Sequence, residues 1–381
     1  MKIKFVIVLL LLISIAFFLY LSCDFEARMI DNSGLDITSL TDLGNSIGVN
    51  WTNLTKTNLT THISGNFDFK EISDPVVIKK GNKYMMWYSG KDSHDSWSIG
   101  YATSYDGISW QKDYENSPVL TPGPYAVDQM GVRVCSVIYD ENSYGAKKYK
   151  MWYKGLKLIS DDPVADHDEL VFQCNIFYAY SDYPNTGWIK YPENCPEETL
   201  LISDHYMDDT PELGKAVVIN EPVVSGGNIV NNYVIWFTRY SDDTLQDNMK
   251  LYYSESSNGV KFEDENVYIL RNTTSDSFYY TSNCMPALIK DYFNSDFVYK
   301  LWFLTQYEND ERKAGFCYSE GALNGGVFSG NDEMSPIFSN KTMGLSDIMS
   351  PCVIRADDMY KMWFVGKDSN NSYYVYYQES H

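Results

Sequence analysis

Two carboxylates stand at matching places in a stretch that the sequence repeats. Asp74 heads the run DPVVI, and Glu221 heads the run EPVVS. Two carboxyl groups that converge in one site can divide the roles of general acid and general base, which is the minimum apparatus for cleaving a glycosidic bond. Desolvation raises the pKa of one such group while the other stays ionised. We therefore predict catalytic roles for Asp74 and Glu221. The alternative is that both residues merely cap strand starts ahead of the prolines.

Other residues near these runs suit a supporting role. Arg133, in VRVCSVI, supplies a fixed positive charge that can hold a carboxylate deprotonated or bind a sugar hydroxyl or an anionic group. Asp128, in the loop before it, is a candidate second support, and Asn220 adjoins Glu221. Aromatic side chains that can stack on sugar rings complete the predicted substrate site. These aromatic residues are Tyr88, Tyr153 and Trp97.

The elements that position these residues come from a five-fold repeat. The copies are YMMWYSG from Tyr84, YKMWYKG from Tyr149, YVIWFTR from Tyr233, YKLWFLT from Tyr299 and YKMWFVG from Tyr360. Each copy is predicted to be a strand, with a β-branched strand before it and a Tyr-rich strand after it. The five tryptophans recur roughly every 60 to 85 residues, a period typical of propellers and solenoids.

Aligning the five leading strands on their apolar runs predicts which side chains converge. In a propeller the first strand of every blade lines the central axis, so residues that head these strands meet at one mouth of the channel. The aligned residues are Asp74, Val134, Glu221, Met285 and Ser350. Only blades one and three contribute carboxylates to this position.

The repeat predicts an all-β chain folded as a five-bladed β-propeller over residues 67–381. The last repeat stops after its third strand, so we expect residues 24–66 to hold a linker and a strand that closes the ring. An open solenoid is the alternative, but solenoids generally need polar capping repeats and shorter periods. The turn SYDGISW, from Ser104 to Trp110, carries an Asp-Gly pair suited to a hairpin and is predicted to be structural.

Residues 1–23 are predicted to be a targeting segment and no part of the fold. Lys2 and Lys4 precede an apolar run from Phe5 to Leu21, and Ser22 and Cys23 follow it. Three outcomes stay open: cleavage as a signal peptide, retention as a membrane anchor, or lipidation of Cys23. In each case we expect an exported protein at an extracellular, periplasmic or cell-surface location, with membrane contact only through this segment.

Composition excludes several classes of function. The net charge is −21, with 51 acidic against 30 basic residues, so a nucleic-acid backbone would be repelled. Neither a metal-ligand spacing nor a phosphate-binding loop is present, so no metal or cofactor is expected. The motifs of covalent serine or cysteine hydrolysis are also missing.

The YxMWYxG strands and the SxDGxxW turn resemble those of the five-bladed propeller glycoside hydrolases, families 43 and 32 and their relatives. The resemblance spans roughly Asp68 to the C-terminus. It implies a catalytic Asp in blade one, a supporting Asp in blade two and an acid Glu in blade three. Asp74 in SDP and Glu221 in NEP match the first and third. At the second position the families carry Arg-Asp-Pro, whereas here Arg133 is followed by Val134, so the Asp is not matched.

Two hypotheses about function follow. The first is a glycoside hydrolase-like protein that acts on oligosaccharides or polysaccharides by carboxylate chemistry at the axis. The second is a non-catalytic propeller that binds carbohydrate or mediates cell-surface interactions, and it is motivated by Val134. A phosphorylase or transferase on the same scaffold is a third possibility. The oligomeric state does not follow from the sequence.

Overall fold

A computed structural model gives the fold of the repeat region. It describes residues 48–62, 65–124, 126–141, 147–158, 172–191, 215–225, 227–240, 249–262, 266–268, 283–293, 296–305, 311–320, 328–330 and 335–380. All of them belong to one compact unit, Gly44–His381. The predicted targeting segment, with Cys23, lies outside the described residues.

The described strands form the five antiparallel blades of a five-bladed β-propeller; one parallel bridge joins the sheets of blades one and two, and a small two-stranded hairpin is a separate sheet. The first described strand is β1 (Thr52–Thr60), which belongs to the sheet of blade five. Blade one holds β2 (Glu71–Lys80), β3 (Lys83–Lys91), β4 (Trp97–Ser104) and β5 (Gln111–Lys112); blade two, after a 3-10 helix at Ala126–Asp128, holds β6 (Gly131–Tyr139), β7 (Tyr149–Leu158), β8 (Phe172–Ser181) and β9 (Ile189–Tyr191).

Blade three begins with β10 (Ala216–Asn220), continues through a small hairpin of β11 (Val223–Ser225) and β12 (Asn228–Val230), and ends with β13 (Tyr233–Tyr240), β14 (Met249–Ser256) and β15 (Asn266–Tyr268). Blade four holds β16 (Asn283–Phe293), β17 (Asp296–Thr305), β18 (Lys313–Glu320), β19 (Ser329–Gly330) and β20 (Phe338–Ser339). A single helical turn, α1 (Asn340–Met343), leads to blade five, which holds β21 (Asp347–Ala356), β22 (Met359–Lys367) and β23 (Tyr373–Ser380).

The second strand of each blade carries the repeated motif and is buried on both faces, because neighbouring blades pack against it. This is why the motif is almost continuously apolar and does not alternate. All five motif tryptophans are at most 1% exposed and are among the largest fully buried side chains.

Four of these tryptophans also connect their blade to the next, through an indole N–H that donates to a backbone carbonyl. In three cases the carbonyl lies in the turn between the last two strands of the following blade, and in the case of Trp302 it lies just before β1. The pairs are Trp87 to Pro184, Trp152 to Gly259, Trp302 to Gly48 and Trp363 to Gly107, at 2.7 to 2.8 Å. The last pair joins blade five to blade one.

Gly107 shows why these turns need glycine. Its φ is +78°, and a Cβ placed there would lie 2.9 Å from Trp363 Cζ2. Both the left-handed backbone and the close indole therefore favour glycine over any larger residue. The SYDGISW turn is thus built for packing, as predicted.

The N-terminal residues contribute to blade five. Strand β1 pairs antiparallel with β23, so it forms the outer edge of that sheet. Just before β1, the segment GVNW (48–51) repeats the GISW pattern of residues 107–110 and accepts the Trp302 hydrogen bond at Gly48. The innermost strands β2 and β21 are also in contact. Closure of the complete ring by residues 24–66 stays a prediction.

Candidate functional site

Strand register identifies the residues that occupy one level of the axis. In each blade, one residue of the first strand lies opposite the motif tryptophan: Val76, Ser136, Val217, Ala287 and Cys352. We call the residues two positions earlier the axial ring. They are Asp74, Val134, Lys215, Met285 and Ser350.

The register corrects the sequence alignment in blade three. Its first strand is β10, which begins at Ala216, and not the EPVVS run. Because β10 has no bulge, Ala216 already lies opposite Phe237, and Lys215 lies just before the first paired residue. EPVVS instead follows β10 and enters the small hairpin. The other four ring residues are those that the alignment predicted.

Three of the ring residues have a left-handed backbone conformation. Asp74, Met285 and Ser350 have φ of 50°, 54° and 52°, and at each a β-bulge places two residues opposite one. A non-glycine residue in this region costs on the order of 1 kcal/mol or more and persists only where the surroundings impose it. Such strain is a marker of functional sites, and here it sits in three blades at the same level.

Asp74 is the only carboxylate of the axial ring. Arg133 Nε donates to its Oδ2 at 2.7 Å, and Ser350 Oγ donates to its Oδ1 at 2.7 Å. Burial raises the pKa of this carboxyl, but the charge and hydrogen bond of Arg133 outweigh burial and lower the pKa to about 2. Asp74 is therefore ionised and held in one orientation at neutral pH.

Arg133 lies beside Asp74, as the sequence predicted. Its Nη2 donates to Ser73 Oγ at 3.1 Å, and its guanidinium carbon stacks 4.5 Å from the ring centroid of Trp97. Trp97, also predicted for this site, is bridged in parallel to Gly131 at the start of β6. The structure thus brings Asp74, Arg133 and Trp97 together.

Two carboxyl groups that sequence reasoning missed flank this site. Glu71 and Asp347 precede the ring residues of blades one and five by three positions, at matching register. Burial raises the pKa of Glu71 despite the opposing charge of Arg133, and burial likewise raises the pKa of Asp347. The shared pattern of EISDP and DIMSP was the signal that would have revealed them.

Glu221 and Asn220 lie at the other end of blade three. Six residues separate Glu221 from Lys215, which is roughly 20 Å at the usual strand rise. Glu221 pairs with Lys290 at 3.2 Å, and the Asn220 amide donates to Asn231 at 3.2 Å. The structure therefore does not bring Asp74 and Glu221 into one pocket, because the β10 register differs from the predicted one.

Asp128 and the two predicted stacking tyrosines are packing residues. Asp128 accepts hydrogen bonds from Tyr153 Oη at 3.3 Å and Lys190 Nζ at 2.6 Å. Blade one repeats this arrangement with Asp68, Tyr88 and Lys112. Tyr88 and Tyr153 are at most 1% exposed, so neither can stack on a sugar. The described contacts of Asp128 are with Tyr153, Lys190 and the Gly123 backbone and do not include Asp74.

Neither metal-binding clusters nor membrane-spanning helices occur in the described ranges. They contain no group of three or more His, Cys, Asp or Glu side chains placed to hold a metal ion. Among these same residues, no helix has the length and apolar character that a membrane crossing requires.

The fold is similar to that of five-bladed propeller glycoside hydrolases. A thermostable family-43 glycoside hydrolase matches with a TM-score of 0.53 and 16% identity, over 85% of this chain and 92% of that one. An α-L-arabinofuranosidase from Podospora anserina in complex with cellotriose matches at 0.51 and 13%, over 88% and 98%. The catalytic domain of a family-62 α-L-arabinofuranosidase from Coprinopsis cinerea matches at 0.51 and 12%, over 87% and 98%.

No family model matches this chain, and no curated protein matches it by sequence. At these low identities, the likeness to the solved structures concerns the fold. Activity has to be argued from the site, because unrelated functions share folds.

Proposed function

We propose that this protein is a glycoside hydrolase whose active site lies at the axial ring, with Asp74 as general base. The observation that carries the proposal is the ionised carboxylate of Asp74, fixed by Arg133 and Ser350 on a strained inner strand. A carboxylate so held can orient and deprotonate a water molecule without first rearranging.

Glu71 is the partner that we propose as general acid. The environments of Glu71 and Asp74 displace their pKa values in opposite directions, upward for Glu71 and downward for Asp74. Paired carboxyls with such opposed shifts divide acid and base roles in glycosidases. Glu71 replaces Glu221 in this role, since Glu221 lies at the far end of its blade.

The distance between the two carboxyl groups decides the stereochemical outcome, because inverting pairs lie roughly 6.5 to 9.5 Å apart and retaining pairs about 5 to 5.5 Å. NMR of the first product distinguishes the two: an anomeric configuration opposite to that of the substrate assigns Glu71 and Asp74 to the inverting class, and the same configuration assigns them to the retaining class.

Substrate class and location are further parts of the proposal. Two of the solved structures described above are α-L-arabinofuranosidases, so arabinose-containing oligosaccharides and polysaccharides are the first substrates to test. Export is proposed from the targeting pattern of residues 1–23, with Cys23 as the lipidation candidate.

A glycan panel assayed with the full-length protein tests the activity. We expect turnover by the wild type and its loss in Asp74→Asn and Glu71→Gln. Glu221→Gln serves as the matched control and should keep wild-type turnover. Undiminished turnover in Asp74→Asn would remove Asp74 as the base, and loss of turnover only in Glu221→Gln would reverse the acid assignment.

A non-catalytic sugar-binding propeller is the second candidate. It is favoured by the enclosure of Asp74, whose side chain is 7% exposed and whose two oxygens both accept hydrogen bonds. Saccharide binding without turnover of any panel member would select this candidate.

A further inference from the structure

The charges of the axial ring do not cancel. Asp74 is balanced by Arg133, which lies one position before the ring in blade two. Lys215, whose Nζ donates to the backbone of Ser350 and Pro351, adds a second positive charge close by, while Val134, Met285 and Ser350 are uncharged. The axial ring and Arg133 together thus hold two cations and one carboxylate; Glu71, as the proposed general acid, is protonated in that role.

Lys215 is an enclosed cation. The residue is 7% exposed, and its Nζ donates to the backbone carbonyls of Pro351 at 2.6 Å and Ser350 at 3.4 Å. It forms no ion pair with any residue that the structure describes. An ammonium in such a place favours a bound anion, because burying an isolated charge is costly. Burial indeed lowers the pKa of Lys215, despite the opposing charge of Asp74.

Arg133 has donor capacity that the described contacts leave unused. Its Nε and Nη2 are engaged by Asp74 and Ser73, whereas its Nη1 donates to none of the described residues. Asp74 carries one negative charge, and both Arg133 and Lys215 act on it electrostatically, so it cannot balance the two cations in full. A ligand carboxylate would supply acceptors for Lys215 and for the free nitrogen of Arg133.

We propose that the axial ring selects a saccharide that carries a carboxylate, a uronic acid residue, with Lys215 and Arg133 as its specificity determinants. The saccharide part of this inference rests on the proposed function. A single carboxylate matches the single uncompensated charge. A polyanion is disfavoured, because the chain as a whole carries −21.

The test uses titration calorimetry on the full-length protein to compare an oligosaccharide that carries one uronic acid residue with the methyl ester of the same oligosaccharide. The ester lacks the negative charge and adds one methyl group. We expect the wild type to bind the acid about 10- to 100-fold more tightly, the range for a charge-assisted hydrogen bond at an enclosed site. In Lys215→Met the preference should vanish, and in Lys261→Met, an exposed lysine of the same blade, it should persist.

Equal binding of acid and ester by the wild type, or a preference that survives Lys215→Met, would overturn the inference. Displacement of the acid by inorganic phosphate at comparable concentration would also overturn it, because the site would then recognise an anion without a sugar. If Lys215→Met does not fold, Lys215→Gln removes the same charge and retains hydrogen-bond donors.

Turnover measured on the same samples separates the two claims. Acid-selective binding without turnover keeps this inference and removes the proposed catalysis. Turnover of neutral glycosides without acid selectivity does the reverse. Absence of binding to any saccharide overturns both the inference and the proposed function.

Discussion

Asp128 and Asp74 are both buried carboxylates paired with a cation, but the partners of Asp128 belong to its own blade and those of Asp74 to neighbouring blades. Asp128 accepts hydrogen bonds from a tyrosine and a lysine of its own blade, and blade one repeats that arrangement at Asp68. Asp74 is held by residues of two neighbouring blades, on a strained backbone at the axis.

In a repeat protein, the recurrence of a contact from blade to blade separates architectural residues from functional ones. A side chain whose contacts recur from blade to blade builds the blade. At the axial ring, by contrast, each blade contributes a different side chain: Asp, Val, Lys, Met or Ser. Blade packing therefore does not fix the residue type there.

The largest expected effect is on activity at the axis. Asp74→Asn should lower turnover by about two to four orders of magnitude, the usual contribution of a general base. Asp128→Asn, assayed at a temperature where it stays folded, should keep turnover within a few-fold. Steady-state kinetics on the preferred glycan checks this pair. Equal losses in both variants would end the distinction between the two aspartates.

The reverse contrast is expected in stability. The Lys190 side chain is only 11% exposed, and Asp128→Asn removes the carboxylate with which it pairs. Breaking a buried ion pair in this way lowers the free energy of unfolding by about 3 to 5 kcal/mol. Urea unfolding measures the free energy of unfolding. A loss below about 1 kcal/mol would show that the buried network carries little of the fold.

A glycine pair isolates the fastening of blade five to blade one. Gly107→Ala combines a left-handed backbone with a Cβ 2.9 Å from Trp363, so we expect a loss of about 2 to 4 kcal/mol. Gly81→Ala is the control, because Gly81 also has a left-handed backbone, with a φ of +59°, but an added Cβ there would meet no atom within 4 Å. This substitution should lower the free energy of unfolding by only about 1 kcal/mol. Equal losses by urea unfolding would contradict the role given to the indole.

The smallest expected effect is the dependence of stability on pH. The folded-state pKa of Asp74 is about 2, below its ordinary value of 3.8. Its contribution is therefore present above about pH 4 and is lost as the pH falls through 2, because the unfolded chain takes up the proton first. The shift corresponds to about 2 kcal/mol.

Unfolding of wild type and Asp74→Asn at pH 5 and pH 2.5 reads out this contribution. The gap between the two proteins should narrow as the pH falls. A gap that stays constant over this range would show that Asp74 is not selectively stabilised in its ionised form.

Much of the fold could be predicted because the repeat is a packing requirement. The motif tryptophans must fill the space between blades, so their spacing identified five blades, and four of the five leading strands were aligned correctly. Blade three failed for a local reason. The run EPVVS is similar to DPVVI in sequence, but the segment that pairs with β13 is AVVIN, which comes just before EPVVS. Residues of EPVVS instead form the first strand of the small hairpin.

The candidate site was predictable only in part. Asp74, Arg133 and Trp97 were identified because position and residue type agreed. Tyr88 and Tyr153 were mistaken for surface rings, since the sequence does not show that neighbouring blades cover both faces of the motif strand. Lys215 was missed because its place in the ring depends on register, and Glu71 because the alignment stopped at the proline-linked run.

Location of the bound sugar tests the central claim most directly. The measurement is a crystal structure of Asp74→Asn with an oligosaccharide that the wild type turns over or binds. We expect the sugar to bind at the axial ring, in contact with Arg133 and Trp97 and within reach of Glu71. A sugar bound at the Glu221 end of the propeller, or only on the outer edge of a blade, would contradict it.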